Sequence, residues 1–247
     1  MFDFKDRVLL VTGAGGEIGG ATASYFRSCG ARVMMADINE AAVSALARSL
    51  DPSGQQVRAQ RYGVSQSADA RALVQACLSQ FGRLDFLVPA AAIYEDQLLR
   101  SMSDAQWEVT MAVNLSGVFY LVRQAIAAMP AGSSIVTLAS QSGHTGGSVE
   151  HGHYGATKGA IGLSTRTLAR ELGPAIRANA VSPGMIDTPM VARALAGKRE
   201  EVIANTPLKR LGRPEEVASL IAFLCSDASS FITGEATLVT GGLYMGG

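Results

Sequence analysis

Short, wholly apolar runs alternate with longer amphipathic stretches along most of the chain. The first run, Arg7 to Thr12, is apolar at every position of Val8-Leu9-Leu10-Val11. A half-solvated strand alternates apolar and polar side chains, whereas a strand covered on both faces is apolar throughout. The same signal predicts strands at Arg32–Ala36, Val57–Tyr62, Leu84–Val88, Ser134–Ala139, Arg177–Val181 and Ala236–Val239. Between them the spacing predicts helices from Gly16 to about Cys29, and over Glu40–Leu50, Ala68–Phe81, Asp104–Met129, Gly152–Leu172 and Pro214–Cys225. No linker, repeat or low-complexity segment interrupts the pattern, so residues 1–247 read as one domain. The fold class is α/β: a doubly wound parallel sheet of about seven strands, with helices on both faces and right-handed crossovers. Ligands in such sheets bind beyond the carboxyl ends of the strands.

With 48% hydrophobic residues the chain can build a large core. Its 21 basic and 21 acidic residues cancel, which removes any global electrostatic case for nucleic acid or an anionic membrane as partner. Cys29, Cys77 and Cys225 lie far apart with no C-x-x-C pair, which points to buried, reduced thiols in a cytoplasmic protein. The acidic start, Met1-Phe2-Asp3-Phe4-Lys5-Asp6, does not read as a signal peptide, and no apolar run approaches the roughly 20 residues of a membrane span.

Two features change the picture from fold to chemistry. Thr12-Gly13-Ala14-Gly15-Gly16-Glu17-Ile18-Gly19 joins the first strand to the first helix. Glycines there allow a tight turn and close backbone approach, and the helix N-terminus offers free N–H groups to a pyrophosphate. Together with the strand pattern this makes the sheet Rossmann-type. Asp37 closes the second strand, where a carboxylate can accept both hydroxyls of an adenosine ribose. Its charge would repel a 2′-phosphate by about 4 kcal/mol at ~4 Å and an effective dielectric of ~20. Neither Gly15-Gly16-Glu17 nor Ile38-Asn39-Glu40 carries a basic residue to offset that. The cofactor expected is therefore NAD; a plain turn or helix-capping aspartate is the alternative reading of Asp37.

Tyr154-Gly155-Ala156-Thr157-Lys158 puts a phenol and an amine on one helical face. A nearby ammonium is expected to lower the phenol pKa from ~10 and make it usable as an acid/base. Ser140, ending the fifth strand, is placed to polarise a substrate carbonyl. Asn114 sits inside the apolar Val113-Asn114-Leu115-Ser116-Gly117 run, where a satisfied core amide and a functional group are both open readings.

In this order and spacing, Thr12 to Gly19, Asn114, Ser140, Tyr154 and Lys158 resemble the short-chain dehydrogenase/reductase family. Asn179 to Thr188, Gly212-Arg213-Pro214-Glu215-Glu216-Val217-Ala218 and Ile232-Thr233-Gly234-Glu235 extend the likeness over essentially the whole chain. Within the family the chain looks most like 3-oxoacyl-carrier-protein reductases and related alcohol dehydrogenases. The resemblance implies that Tyr154 exchanges a proton with the substrate oxygen, that Lys158 tunes it and binds ribose, and that Ser140 hydrogen-bonds the same oxygen. It implies that Asn114 holds a relay water, with Ile186 and Thr188 on the carboxamide of the nicotinamide. Gly13, Gly15, Gly16, Glu17, Ile18, Gly19, Asp37, Ile38, Val64, Ala90, Ala91, Pro183 and Gly184 complete the implied cofactor site. No metal is implied. His144, His151 and His153 crowd the loop before Tyr154, but without partner ligands they are expected to be solvated or substrate-facing.

Four positions depart from the family pattern: Glu17 for a glycine, Gly63 for an aspartate beside adenine, Pro89-Ala90 for an Asn-Asn pair, and Thr240 for an aspartate before Gly241-Gly242. All weaken the cofactor side and none touches the proton-transfer set. Residues 185–207 carry a helical pattern at Met190–Ala196 and are expected to form a lid. Ile93, Tyr94, Gln141, Ser142, His144 and Met190 are pocket candidates by position, for a small alcohol or ketone. By resemblance the protein is expected to be a homo-oligomer, a tetramer. Three rival functions remain: an NADPH-dependent 3-oxoacyl reductase, a dinucleotide-binding regulator with little turnover, and a methyltransferase, which would leave Tyr154 and Lys158 without a role.

Overall fold

The computed structural model describes residues 2–246, so Met1 and Gly247 of the expected 1–247 domain lie outside the described residues. Seven parallel strands form one sheet in the order β3-β2-β1-β4-β5-β6-β7. They are β1 Val8–Thr12, β2 Arg32–Asp37, β3 Val57–Arg61, β4 Phe86–Pro89, β5 Ser133–Leu138, β6 Ile176–Pro183 and β7 Ala236–Val239. The continuous apolar runs have their predicted cause. In β1, Leu9 and Val11 enter one core with helices α1 (Glu17–Ser28), α2 (Glu40–Leu50) and α10 (Pro214–Cys225). Val8 and Leu10 enter the other, with α3 (Ser67–Phe81) and α5 (Gly117–Ile126). The strand order reverses between β1 and β4, which opens a crevice at their carboxyl ends.

The helix expected over Asp104–Met129 is not uniform. It runs as α4 (Asp104–Met111), a π-helical turn over Ala112–Ser116, and α5, ending at Ile126. At 23 residues and mean hydropathy 1.2, Asp104–Ile126 is long and apolar enough to cross a membrane by length and composition, which corrects the expectation that no such stretch exists. Here its apolar residues Leu121, Val122 and Ala125 are buried in the core beneath the sheet.

The β4–β5 pairing, next to the position of the missing Asn-Asn pair, is short. β4 pairs with β5 only at Phe86–Ser134 and Leu87–Ile135, whereas β5 and β6 pair from Ser133–Ile176 to Leu138–Val181. Pro89 has no N–H to give and pairs in register with Thr12 instead.

Candidate active site

The first turn is built by close approach. Gly13 has φ +66°, and a Cβ there would lie 2.7 Å from the Ala91 nitrogen, so the turn packs directly on Ala90-Ala91. A Cβ on Gly19 would lie 2.2 Å from the Gly13 carbonyl oxygen, so only glycine lets α1 start this close to the turn. Gly16 caps α1 without a side-chain hydrogen bond, which leaves first-turn N–H groups for an anion. Glu17 is exposed and Ile18 packs against the core, so the carboxylate in the family's glycine position faces solvent.

Asp37 reaches across from β2. Its Oδ2 accepts a 2.9 Å bond from the Gly15 N–H, and Oδ1 accepts one of 2.8 Å from Asn39. The carboxylate is thus fixed beside the phosphate turn, with the exposed Ile38 as an apolar neighbour. Arg61 on β3 stands in register with Asp37, a basic neighbour that inspection of local segments missed; it is exposed and makes no ion pair with Asp37 among the described residues. Gly63 was expected to lose an adenine contact. The space where its side chain would project is approached by Asp69 of α3, whose Oδ2 lies 3.0 Å from that Cβ position. Val64 packs against Gly117, where a Cβ would lie 2.4 Å from Val64 Cγ2. These residues fit a dinucleotide: unpaired helix-start N–H groups, a fixed carboxylate one strand away and apolar surface beside it.

Asn114 lies in the π-helical turn and is fully buried. Its Oδ1 accepts from Ile93 N at 2.8 Å, and its Nδ2 donates to Ile93 O at 2.9 Å. The side-chain amide therefore holds the loop after β4 through one donor and one acceptor.

Ser140 follows β5, in the loop that leads into the short helix α6 (Ser142–Thr145). That loop lies flat on α7 (Gly152–Leu172): Cβ atoms on Gly143 and Gly155 would come within 2.6 Å of the Gly159 nitrogen and 2.7 Å of the Gly146 oxygen. This contact brings Ser140 beside Tyr154, near enough for its hydroxyl to favour the phenolate. Ser140 Oγ also accepts from Ser142 N at 3.1 Å.

The tuning of Tyr154 is not as expected. Its side chain stays partly open to the cleft, yet burial pushes the phenol up to about 12; the nearby Ser140 hydroxyl opposes this and Tyr94 adds to it. Lys158 is buried and its amine is pulled down to about 8 by burial. Nζ donates to the Leu138 carbonyl at 2.6 Å and lies 5.6 Å from the centre of the Tyr154 ring. The amine is held by β5, so it does not offset the burial of the phenol.

The remaining candidates divide. Gly184 donates to the Val239 carbonyl at 2.9 Å, and Pro183 O accepts from Gln141 N. Gln141 Oε1 is buried without a hydrogen-bond partner and lies beside Gly184. Ile186 pairs in parallel with Gly212 through the groups of Met185 and Asp187, so its own N–H and carbonyl face the other way. Thr188 Oγ1 accepts from Val191 N at 3.3 Å, so it caps α8 (Pro189–Ala194), on which Met190 is half-buried.

Two of the three histidines contradict the expectation of solvated or substrate-facing rings. His151 and His153 are buried; only His144 is exposed, and its Nε2 is 3.0 Å from Ser182 Oγ. Among the described residues, no group of three His, Cys, Asp or Glu side chains gathers as a metal site would require. Thr240 ties its own turn, donating to Tyr244 O at 2.8 Å and accepting from Gly242 N.

A family model described as enoyl-(acyl carrier protein) reductase matches residues 13–244. The chain is 36% identical over 251 residues to the 3-oxoacyl-(acyl-carrier-protein) reductase FabG of Thermotoga maritima, covering 98% of this chain and 99% of the relative. It is 37% identical over 255 residues to the (3R)-3-hydroxyacyl-CoA dehydrogenase of Mus musculus, covering 98% and 97%. A crystal structure from Brucella melitensis, described as a short-chain dehydrogenase/reductase, glucose/ribitol dehydrogenase, superposes with TM-score 0.97 at 47% identity over 99% of both chains. The chain belongs to the short-chain dehydrogenase/reductase family of oxidoreductases.

Proposed function

We propose that the protein transfers a hydride between NAD(H) and a secondary alcohol or ketone, with Tyr154 as general acid/base. The observation that carries this is the placing of Ser140, at the carboxyl end of β5, beside the Tyr154 phenol, with Lys158 one helical turn further on. The nicotinamide supplies the hydride. In reduction, the Tyr154 hydroxyl gives its proton to the substrate oxygen while Ser140 donates a hydrogen bond to it. A phenol pushed up to about 12 stays protonated at neutral pH and suits that direction. Oxidation needs the phenolate, and so needs positive charge brought close to it. Lys158 would hold the ribose, Ile186 the carboxamide, and Asp37 the adenosine ribose, with Asp69 facing the base.

Asp37 supports NAD over NADP. The rival reading, an NADPH-dependent 3-oxoacyl reductase, draws on the names of the relatives and on Arg61 beside Asp37. Residues 185–207 support a lid: α8 and α9 (Arg199–Asn205) rise from a base closed by the Ile186–Gly212 bridge. A homo-oligomer is supported by the exposed Trp107, Val109, Phe119 and Leu163, and by the uncharged outer strand β7; the opposite edge, β3, carries Arg58 and Arg61. Three buried free thiols support a reducing, cytoplasmic setting.

The test is turnover of an alcohol and ketone panel with both cofactors, beside Tyr154→Phe. Loss of the acid/base should cost roughly 10²–10⁴-fold in kcat, with NADH binding within twofold. Turnover that survives in Tyr154→Phe overturns the assignment. NADH binding with no turnover anywhere in the panel favours the regulatory reading.

A further inference from the structure

Ser140 is not the only neighbour of Tyr154. The Tyr94 ring meets it edge-on, at 4.7 Å between centroids and 87° between planes. The other side of Tyr94 is covered by His151, stacked flat at 4.0 Å and 9°. The imidazole in this stack is also fixed by hydrogen bonds at both of its nitrogens. His151 is buried. Nε2 lies 2.8 Å from Asp96 Oδ1; Nδ1 lies 2.8 Å from Ser148 Oγ and 3.0 Å from the Val149 carbonyl. A carboxylate only accepts, so Nε2 carries a proton and donates to Asp96. Ser148 also lies beside the Tyr94 hydroxyl. Gln97 N donates to Glu150 O at 3.0 Å, a further tie between the loop after β4 and the loop before α7.

We propose that the Tyr94–His151 pair, anchored by Asp96 and Ser148, is a positioning device that fixes the Tyr154 ring and keeps water from its flank. It rests on Tyr154 being the acid/base. The groups around Tyr154 are Ser140 from the end of β5, Lys158 on its own helix and Tyr94 from the facing loop. Behind Tyr94, His151 is flanked by Asp96 and His153, with Glu95 near His153. Burial is the leading cause of the raised phenol pKa, and Tyr94 acts in the same direction. Opening this side to water therefore brings the phenol down.

The chain has six tyrosines, so the ionisation of Tyr154 is read as the difference in phenolate absorbance between each protein and its Tyr154→Phe counterpart. Tyr94→Leu and His151→Ala should each move that titration down by about one unit or more. Both should lower kcat roughly 10-fold while the Kd for NADH, read by fluorescence, stays within twofold. Tyr94→Phe keeps the ring and removes only the hydroxyl whose charge raises Tyr154, so it should shift the titration down by less than Tyr94→Leu. Asp96 is largely exposed, so Asp96→Asn preserves the fold and should give a smaller shift of the same sign. An unmoved Tyr154 titration in folded His151→Ala and Asp96→Asn protein overturns the proposal. Should the parent lack Tyr154-dependent turnover, the functional reading fails, and the absorbance titration still reports on the aromatic pair.

Discussion

Lys158 Nζ donates a 2.6 Å hydrogen bond to the Leu138 carbonyl while standing 5.6 Å from the centre of the Tyr154 ring. Burial holds this lysine near 8, against an ordinary value of 10.5. An amine kept charged in such a place lowers the stability of the fold in exchange for function. Lys158→Met fills similar volume without a charge and loses only the bond to Leu138. It should raise stability by about 2 kcal/mol, from ~2.5 pKa units at 1.36 kcal/mol each less one hydrogen bond, and abolish turnover. The sign can be checked by pH. At Lys158 the folded protein binds fewer protons than the unfolded chain between about 8 and 10.5, so the stability of the parent rises with pH relative to Lys158→Met across that window, whatever the buried cysteines and tyrosines add to both. Denaturant titrations in which the stability difference between parent and Lys158→Met stays constant from pH 8 to 10.5 contradict the account.

Asn114 offers a sharper separation of structure from chemistry. Its amide satisfies both polar groups of Ile93. Asn114→Ala leaves that N–H and carbonyl unpaired, at about 3 kcal/mol in total and a Tm lower by roughly 6–12 °C. Asn114→Asp keeps the acceptor for Ile93 N but sets a carboxylate oxygen against Ile93 O. It should destabilise as much or more as pH rises above the carboxylate range. Thermal unfolding of the two variants at pH 5 and 8 decides this; equal Tm values to the parent would show that the loop is held by other contacts.

The layered sheet and the chemistry-bearing residues were legible because their signals are local. Unbroken apolar strands such as Val8–Val11 require cover on two faces, and the Tyr154–Lys158 spacing follows from helical period alone. What stayed hidden depends on contacts between distant segments. The π-helical turn at Asn114 leaves no mark on a helical pattern. The carboxylate of Asp69 at Gly63 joins a helix to a strand end, and Arg61 opposite Asp37 appears only with the β2–β3 register. The tuning of Tyr154 was misread for the same reason: spacing brings Lys158 near, but the Leu138 carbonyl on β5 decides where its proton points. Likewise His151 and His153 sit in a polar, glycine-rich stretch that reads as solvated loop, and only the packing of Tyr94 buries the first.

In the proposed function Asp37 carries the cofactor choice. Replacing it by serine removes the charge that opposes a 2′-phosphate and keeps one oxygen for the Gly15 or Asn39 N–H. The preference for NADH over NADPH, taken as a ratio of Kd values, should fall by up to about 100-fold, within the ~4 kcal/mol ceiling of a pair at ~4 Å. Arg61→Ala should act the other way and weaken NADPH alone. Fluorescence titrations at two salt concentrations read both. A ratio unchanged by Asp37→Ser removes the charge argument for NAD.

The proposed lid over residues 185–207 has a candidate latch. Arg199, the first residue of α9, makes two parallel bonds of 3.0 and 2.8 Å to Asp187, which sits at the lid's base beside the Ile186–Gly212 bridge. The guanidinium holds the Asp187 carboxyl below its ordinary value, so the pair persists at neutral pH and is lost as pH falls through that depressed value. Both partners are exposed, and an exposed pair is weakened by salt. The consequence for function is a small bias toward one lid position. Arg199→Ala should raise KM about two- to fivefold and leave kcat within twofold, with the effect shrinking at 0.5 M salt, far above the physiological ~0.15 M. Asp187→Ala should give the same change, and the double variant no more than either alone. Additive losses in that cycle would mean that the two residues act separately and that the bidentate pair does not set the position of the lid.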